Sequence, residues 1–535
     1  MTRALLAVLA AAAVLFFAGL GRTTLFDQDE AKYTQVAREI LQTRDPITMH
    51  VNGRPWFVHP PLYFWLVAAT GSLAGFSEVT ARLWSPVFAL LGAYATYLVG
   101  RRLFTPRAAL LGVVVLSSMF QYFAQARLAV FDGMLLAFML LAFYAFLRAR
   151  DGNAAQLGYA GVWAGLGTLT KGPIALFLPA LVALAFLLLR RERPRIPARA
   201  LLAAAALYAL LALPWYVIET VRHGLPFVRT VIGYYTVNRF LGVVEGQSGP
   251  WWYYAPVLGL GAFPWTAFVV AAVPYHLRRR RADGSLLVVL WAAVTLAFYT
   301  AAGTKLPNYV LPIYPAAALA IGGMWDAALR GERDAQRALG WGFAGTVIAL
   351  VVFGAELVIF SRLRYPAYLA ALQQHLVVVG AVLSVWLLLA ALLYALRRSG
   401  AGLVMVAGST WVVAAFLVFQ TLPLIDARRP IKPVAAAVRG RLAPGVPLVG
   451  FRISDQQTLL FYTNHPVHWL DDVSDVVNLA CRVSRLIVVG RPHELREAQS
   501  ALARIGMVTT VASTDELSAV ELQRGRACPR LPVPQ

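Results

Sequence analysis

Ionisable residues are scarce in this chain, and those that stand beside the ends of apolar runs form a chemically coherent set: Asp29, Glu30, Lys32, Arg38, His59, Arg127, Asp132, Lys171, Arg239, Glu245 and Lys305. Carboxylates mixed with Lys and Arg suit a reaction in which an anionic group leaves and an acceptor must be activated. A carboxylate can serve as general base or stabilise a developing cationic sugar, while Lys, Arg or His neutralises a phosphate. The densest stretch is FDQDEAKYTQVAREIL, residues 26 to 41, with Asp27, Asp29 and Glu30 together. Acids there also suit a plain helix start, where they oppose the helix dipole and satisfy free amides; Asp29 is taken as the chemical residue and Glu30 as the helix-start residue. Lys171 in TKGP and Lys305 in TKLP are phosphate-binding candidates or interface anchors that snorkel, the first reading being stronger for Lys305. His59 reads as a phosphate neighbour or a buried, hydrogen-bonded imidazole, since one His without a second ligand at metal spacing points to no metal. Arg127, five residues before Asp132, is either part of the reactive set or an ion-pair partner for Asp132, in which case both are structural.

The elements that position these residues follow from composition. With 535 residues, 59% hydrophobic and 14% charged, the chain is a polytopic membrane protein. Apolar runs lie near 4 to 20, 83 to 100, 108 to 124, 133 to 147, 157 to 170, 174 to 189 and 200 to 218, then near 256 to 274, 285 to 303, 308 to 329, 339 to 360, 376 to 396 and 403 to 422. That predicts thirteen transmembrane helices, the first retained rather than cleaved. The net charge of +22 does not indicate nucleic acid. Its arginines crowd the short even-numbered loops, including Arg278 to Arg281 and Arg190 to Arg199, which is the positive-inside pattern. Residues 21 to 82, 219 to 255 and the tail from about 423 are then exported, and the reactive set lies on that one side. A transporter would instead place acids or broken helices near mid-membrane, so an enzyme is the favoured reading and a carrier-lipid transporter the rival. The combination points to glycosyl transfer from a lipid phosphate.

A transmembrane domain over 1–422 is expected, with two surface-lying amphipathic helices in its 21–82 loop, TQVAREILQ and PPLYFWLVAATGSLAGF. The second could equally be a short span. A periplasmic α/β domain over 423–535 is expected from VPLVGFRI, TLLFYTNHPVHWL, RLIVVGR and MVTTVAST around a helical ELREAQSALARIG. Cys481 and Cys528 both fall there, and their pairing is open. The run PWWYY reads as an interfacial aromatic belt.

Seven stretches in order carry a family resemblance: DQDEAKYTQVAREIL at 27 to 41, PWFVHPPLYFW at 55 to 65, RLAVFDGML at 127 to 135, LTKGPIAL at 169 to 176, NRF at 238 to 240, GPWWYYAPVLGLGAFPW at 249 to 265 and TKLPNYVLPIYPA at 304 to 316. Together they resemble the polyprenyl-phosphate-sugar-dependent glycosyltransferases of GT-C architecture, in the bacterial branch of the lipid A aminoarabinose transferase and protein-mannosyltransferase-like enzymes. The resemblance implies inverting transfer from an undecaprenyl-phosphate-linked sugar on the periplasmic side of the bacterial inner membrane. The acceptor would be a lipid such as lipid A, with a protein or cell-surface glycan as the alternative. It implies Asp29, Asp132 and Glu30 as catalytic positions and Arg239, Lys305 and Tyr309 as donor-phosphate ligands, with His59 standing where the family has a phosphate-binding Lys; Lys32, Arg38 and Lys171 are expected as substrate-binding residues from their place in the charged set. Where the family has Glu-Lys before its proline, this chain has Val58 and His59, and no His stands near Arg239 in YYTVNRF. The family's zinc ligands are thus not evident, and no cofactor is assigned.

Overall fold

The computed structural model describes residues 2–27, 29–192, 194–364, 369–427 and 429–525. They form two compact units, each assembled from separated stretches of chain. The first comprises Met1–Leu20, Phe57–Leu66 and Arg82–Thr421, and the second Gly21–Trp56, Val67–Ala81 and Leu422–Gln535. The stretch 21–56, grouped by sequence with the transmembrane part, thus associates with the C-terminal segment. Cys528 lies outside the described residues.

The first unit is helical. Among the described residues eight helices are long and apolar enough to cross a membrane, from Glu78–Leu103 to Ser399–Ala427. A ninth candidate, over 256 to 274, is broken into Tyr254–Gly261 and Thr266–Arg278 with a bend of 109°. The remaining four expected spans form shorter helices, Thr2–Phe17, Pro106–Ser117, Gln156–Lys171 and Ile174–Arg190, of 12 to 17 residues. At 1.5 Å per residue even the longest falls short of the ~30 Å hydrocarbon layer. Only the run over 108 to 124 clearly exceeds its helix, because the turn at Ser118–Met119 interrupts it, whereas the runs over 157 to 170 and 174 to 189 match their helices closely. The chain is a multi-pass membrane protein.

Small residues let these helices approach. A Cβ on Gly161 would stand 2.2 Å from the Ala204 carbonyl oxygen, and one on Gly322 would stand 2.4 Å from that of Ala108, so backbone packs on backbone at both crossings. Arg127 does not pair with Asp132. Its guanidinium donates to the Leu15 and Phe16 carbonyls, each at 3.0 Å, satisfying acceptors that the end of Thr2–Phe17 leaves open. Beyond Ala198–His223 the expected loop is largely helical: Leu225–Val228, a π-helix over Arg229–Asn238, and Arg239–Leu241.

The second unit contains a five-stranded sheet in the order Val467–Leu470, Leu448–Phe451, Arg485–Gly490, Ser518–Arg524, Gly506–Ser513. The first three strands are parallel, with Leu448 opposite Val467 and Ile487, and the last two join antiparallel. Leu448–Phe451 is buried at every position, as a central parallel strand should be. The run TLLFYT, read as β-rich, instead forms the helix Gln457–Thr463, which ends at Asn464 in the left-handed region.

Neither surface helix has the form the sequence suggested. Asp29–Thr43 buries Ala31, Val36, Ala37 and Ile40 and also Glu30, Gln35 and Glu39, so its polar residues are packed inside the unit. Leu62–Ala74 carries no charged residue and is apolar all round rather than amphipathic.

Candidate functional site

Within the helical unit, Asp132 opens the helix Asp132–Arg150 and Lys171 closes Gln156–Lys171. Each charge complements the dipole of its own helix end. The two meet: Lys171 Nζ lies 2.5 Å from Asp132 Oδ1, and both side chains are largely buried. The other oxygen, Oδ2, accepts from Asn308 Nδ2 at 3.0 Å. Asp132 is thus occupied on both oxygens. Lys171 Nζ also stands 5.4 Å from the centre of the Tyr309 ring and 5.3 Å from that of Phe131, within cation–π range. His59, buried, packs its ring on Phe131 with centroids 4.6 Å apart. Tyr309 leans on Tyr299 at 5.1 Å.

Two further cations are tied to this region through backbone. Thr304 and Gly303 donate to the carbonyls of Arg239 and Phe240, and Lys305 donates to that of Gln247. Lys305 is 7% exposed; its ammonium donates to the Thr300 and Ala302 carbonyls at 3.0 and 2.7 Å. Those carbonyls end the helix Asp283–Ala301. Of three ammonium donors, two are used, and no carboxylate lies within ion-pair distance among the described residues. Arg239 donates from Nη2 to Glu245 Oε2 at 3.0 Å and to Gln247 Oε1 at 3.3 Å. Its Nε is buried without a hydrogen-bond partner. Tyr235 donates to Glu245 Oε1 at 3.1 Å, and burial followed by the Glu245 charge pushes its phenol up to about 12. A polar centre with several cations and an orphaned guanidinium N–H is suited to an oxyanion.

In the second unit the three neighbouring carboxylates separate by function. Asp27 accepts from Arg429 Nη2 at 3.0 Å and from the Thr458 backbone and hydroxyl. Glu30 reaches back to accept from the Phe26 N–H at 2.9 Å, which is the helix-start role expected of it. Asp29 is exposed at the first helical position, and Lys32 is half-buried. Arg38 donates to the Phe461 carbonyl at 2.7 Å, to Gln35 and to Asn464, with the Phe461 ring 4.2 Å away. Burial, reinforced by Arg439, lowers its pKa to about 10. These contacts give Arg38 a bracing role rather than a free cationic head.

Asn308, Gln247 and Tyr235 were not singled out from the sequence. Asn308 sits inside TKLPNY, but a neutral amide carries no signal until its partner is known. Among the described residues, no group of three or more His, Cys, Asp or Glu side chains could hold a metal ion. Val58, which stands where the family has Glu, supplies no metal donor.

A family model described as dolichyl-phosphate-mannose-protein mannosyltransferase matches residues 58–218. An undecaprenyl phosphate-α-4-amino-4-deoxy-L-arabinose arabinosyl transferase from Pseudomonas aeruginosa strain LESB58 is 30% identical over 369 residues, covering 68% of this chain and 66% of the relative. A similarly named relative from Pseudomonas fluorescens strain Pf-5 is 29% identical over 401 residues, covering 72% of this chain and 71% of its own length. The chain thus spans about two thirds of these relatives. Among solved structures, ArnT from Cupriavidus metallidurans bound to undecaprenyl phosphate shares the fold, with a TM-score of 0.82, 22% identity, and coverage of 98% of this chain and 99% of that one. Its apo state aligns with a TM-score of 0.80 over 96% and 97%.

Proposed function

The chain belongs to the GT-C family of polyprenyl-phosphate-sugar glycosyltransferases, on the lipid A aminoarabinose transferase-like branch, and from that premise we propose that it moves a sugar from undecaprenyl phosphate to a lipid acceptor, with inversion at C1. The reaction takes place on the periplasmic side of a bacterial inner membrane. The observation that carries this reading is the polar centre itself, in which the Lys171–Asp132 pair with Asn308 lies against the Tyr309 ring and the buried Nε of Arg239 has no partner.

The donor is a phosphodiester with one negative charge. The acceptor oxygen attacks C1, the C1–O bond to phosphate breaks, and its electron pair stays on the phosphate, which becomes a more highly charged monoester. Stabilising that added charge is the catalytic requirement. Lys305 has a spare donor and Arg239 an unpartnered Nε, so these two hold the phosphate, with Tyr309 and His59 as neighbours. Asp132, with both oxygens engaged, positions Lys171 and Asn308 rather than removing a proton. An ionised lipid phosphate needs no base; a hydroxyl acceptor gives its proton to a carboxylate, for which Asp29 is the candidate. No step is routed through a metal.

The test is to follow radiolabel from cell-derived undecaprenyl-phosphate sugars into lipid and protein fractions with purified wild type and Asp29→Asn. Transfer to lipid by wild type alone supports the reading and the role of Asp29. Equal transfer by both removes Asp29 from the chemistry. Label in protein would favour the acceptor class named in the description of the family model that matches 58–218, and an inert wild type with both acceptors supplied would overturn the transferase reading.

A further inference from the structure

The segment Arg239–Gln247 contains a carboxylate that does what a bound phosphate would do. Glu245 accepts from Arg239 Nη2 at 3.0 Å, from Tyr235 at 3.1 Å and from Gln247 Nε2 at 3.4 Å. Its side chain is 44% exposed while that of Arg239 is 16% exposed, so the carboxylate covers the guanidinium from the open side. The backbone there is costly: Glu245 has φ of +55° and is followed by Gly246 at +70°. A non-glycine residue in the left-handed region is disfavoured and persists where the surroundings enforce it. Here the turn is closed by the Gln247 N–H bonding to the Val244 carbonyl at 3.0 Å, and it presents the Glu245 side chain to Arg239 and Tyr235. Meanwhile Arg239 Nε is left buried and unpartnered, so the pair does not use the full fork that a guanidinium offers an oxyanion.

We propose that Glu245 is an affinity-setting residue: an internal competitor that occupies Arg239 when no carrier phosphate is bound and is displaced when one arrives. This rests on the reading that Arg239 binds the undecaprenyl phosphate group. A phosphate can engage Nε and Nη2 together, which Glu245 does not, so the exchange favours the phosphate. The returning carboxylate then helps expel the product monoester, whose higher charge would otherwise hold it at the cations. Glu245 is thus a residue that sets donor KM and product release rather than one that touches the reacting atoms.

The experiment measures binding of undecaprenyl phosphate to the purified full chain and to Glu245→Gln, together with donor KM, kcat and inhibition by undecaprenyl phosphate. Glutamine keeps the shape and can still accept from Arg239, but it removes the competing charge. The expected result is binding tighter by about threefold to tenfold, the range of a partly exposed charge pair, with a lower donor KM and a lower kcat from slowed release. In Arg239→Gln/Glu245→Gln the gain should vanish, because nothing is left to compete for. Unchanged or weaker binding by Glu245→Gln, with wild type still binding, would overturn the competitor role and leave Glu245 as a support for Arg239. If wild type and Arg239→Gln bind equally, the assignment of Arg239 to phosphate fails, whatever Glu245 does. Matched melting temperatures would show that the comparison is between folded proteins.

Discussion

Asp27, Asp29 and Glu30 lie within four positions of one another, yet only their partners distinguish them. Glu30 was legible as a helix-start residue because its partner, Phe26 N–H, is local. Asp27 was not, because Arg429 and Thr458 are some four hundred residues away in the chain. The same limit hid the pairing of Asp132: sequence offered Arg127 five residues away, and folding supplied Lys171 from the next helix. That pair makes a clear prediction. Asp132→Asn leaves Lys171 largely buried without its counter-charge, a change worth about 3 kcal/mol where an ion pair is broken on one side. Melting in detergent should therefore drop markedly for Asp132→Asn, and the double variant Asp132→Asn/Lys171→Met should recover part of the loss. If Asp132→Asn and the double variant both melt like wild type, the pair does not contribute to stability.

Helices were legible as apolar runs, but their ends were not, because an end is decided by capping partners and turns rather than by hydropathy. The run over 4 to 20 illustrates this. Its helix stops at Phe17, and the carbonyls of Leu15 and Phe16 are taken up by Arg127, while Arg82 donates to the Leu20 carbonyl at 2.7 Å. The run over 256 to 274 carries Pro264 in its middle and bends by 109°, which a hydropathy reading passes over although the proline was visible. Removing the cap should loosen that first helix end locally. Arg127→Ala is expected to speed amide exchange at Ala18 and Leu20, whose N–H groups bond back to Val14 and Phe17, with little change in the Asp132–Arg150 helix. Exchange unaltered at Ala18 and Leu20 would mean that packing, not the guanidinium, fixes the end. Arg127→Lys should be intermediate, since one ammonium replaces a planar fork poorly.

At the scale of the whole chain, composition identified a membrane protein and the β-rich tail identified an α/β sheet, but not that Gly21–Trp56 and Val67–Ala81 fold with that tail. Nothing local announces it: the contacts are hydrogen bonds and ion pairs between distant segments. The Thr24 N–H bonds to Asp426 at 3.1 Å, the Leu25 N–H to the Tyr462 hydroxyl at 2.9 Å, Asn52 exchanges bonds with Val467, and Arg38 donates to the Phe461 carbonyl. Tyr462 in turn donates to Glu78 at 2.8 Å, and Lys432 pairs with that carboxylate. Ending the chain after Thr421 removes every one of these partners at once. With buried donors each costing about 1–3 kcal/mol when left unpaired, residues 21–56 cannot keep their fold. Hydrogen exchange on the truncated protein should show protection lost over Asp29–Thr43 and retained in the Asp132–Arg150 helix. Protection kept over Asp29–Thr43 would show that this helix is held by something other than the tail. If Asp29 acts in transfer as proposed, loss of that protection should be accompanied by a fall in sugar transfer even though Arg239, Lys305, Lys171 and Asp132 are all still present.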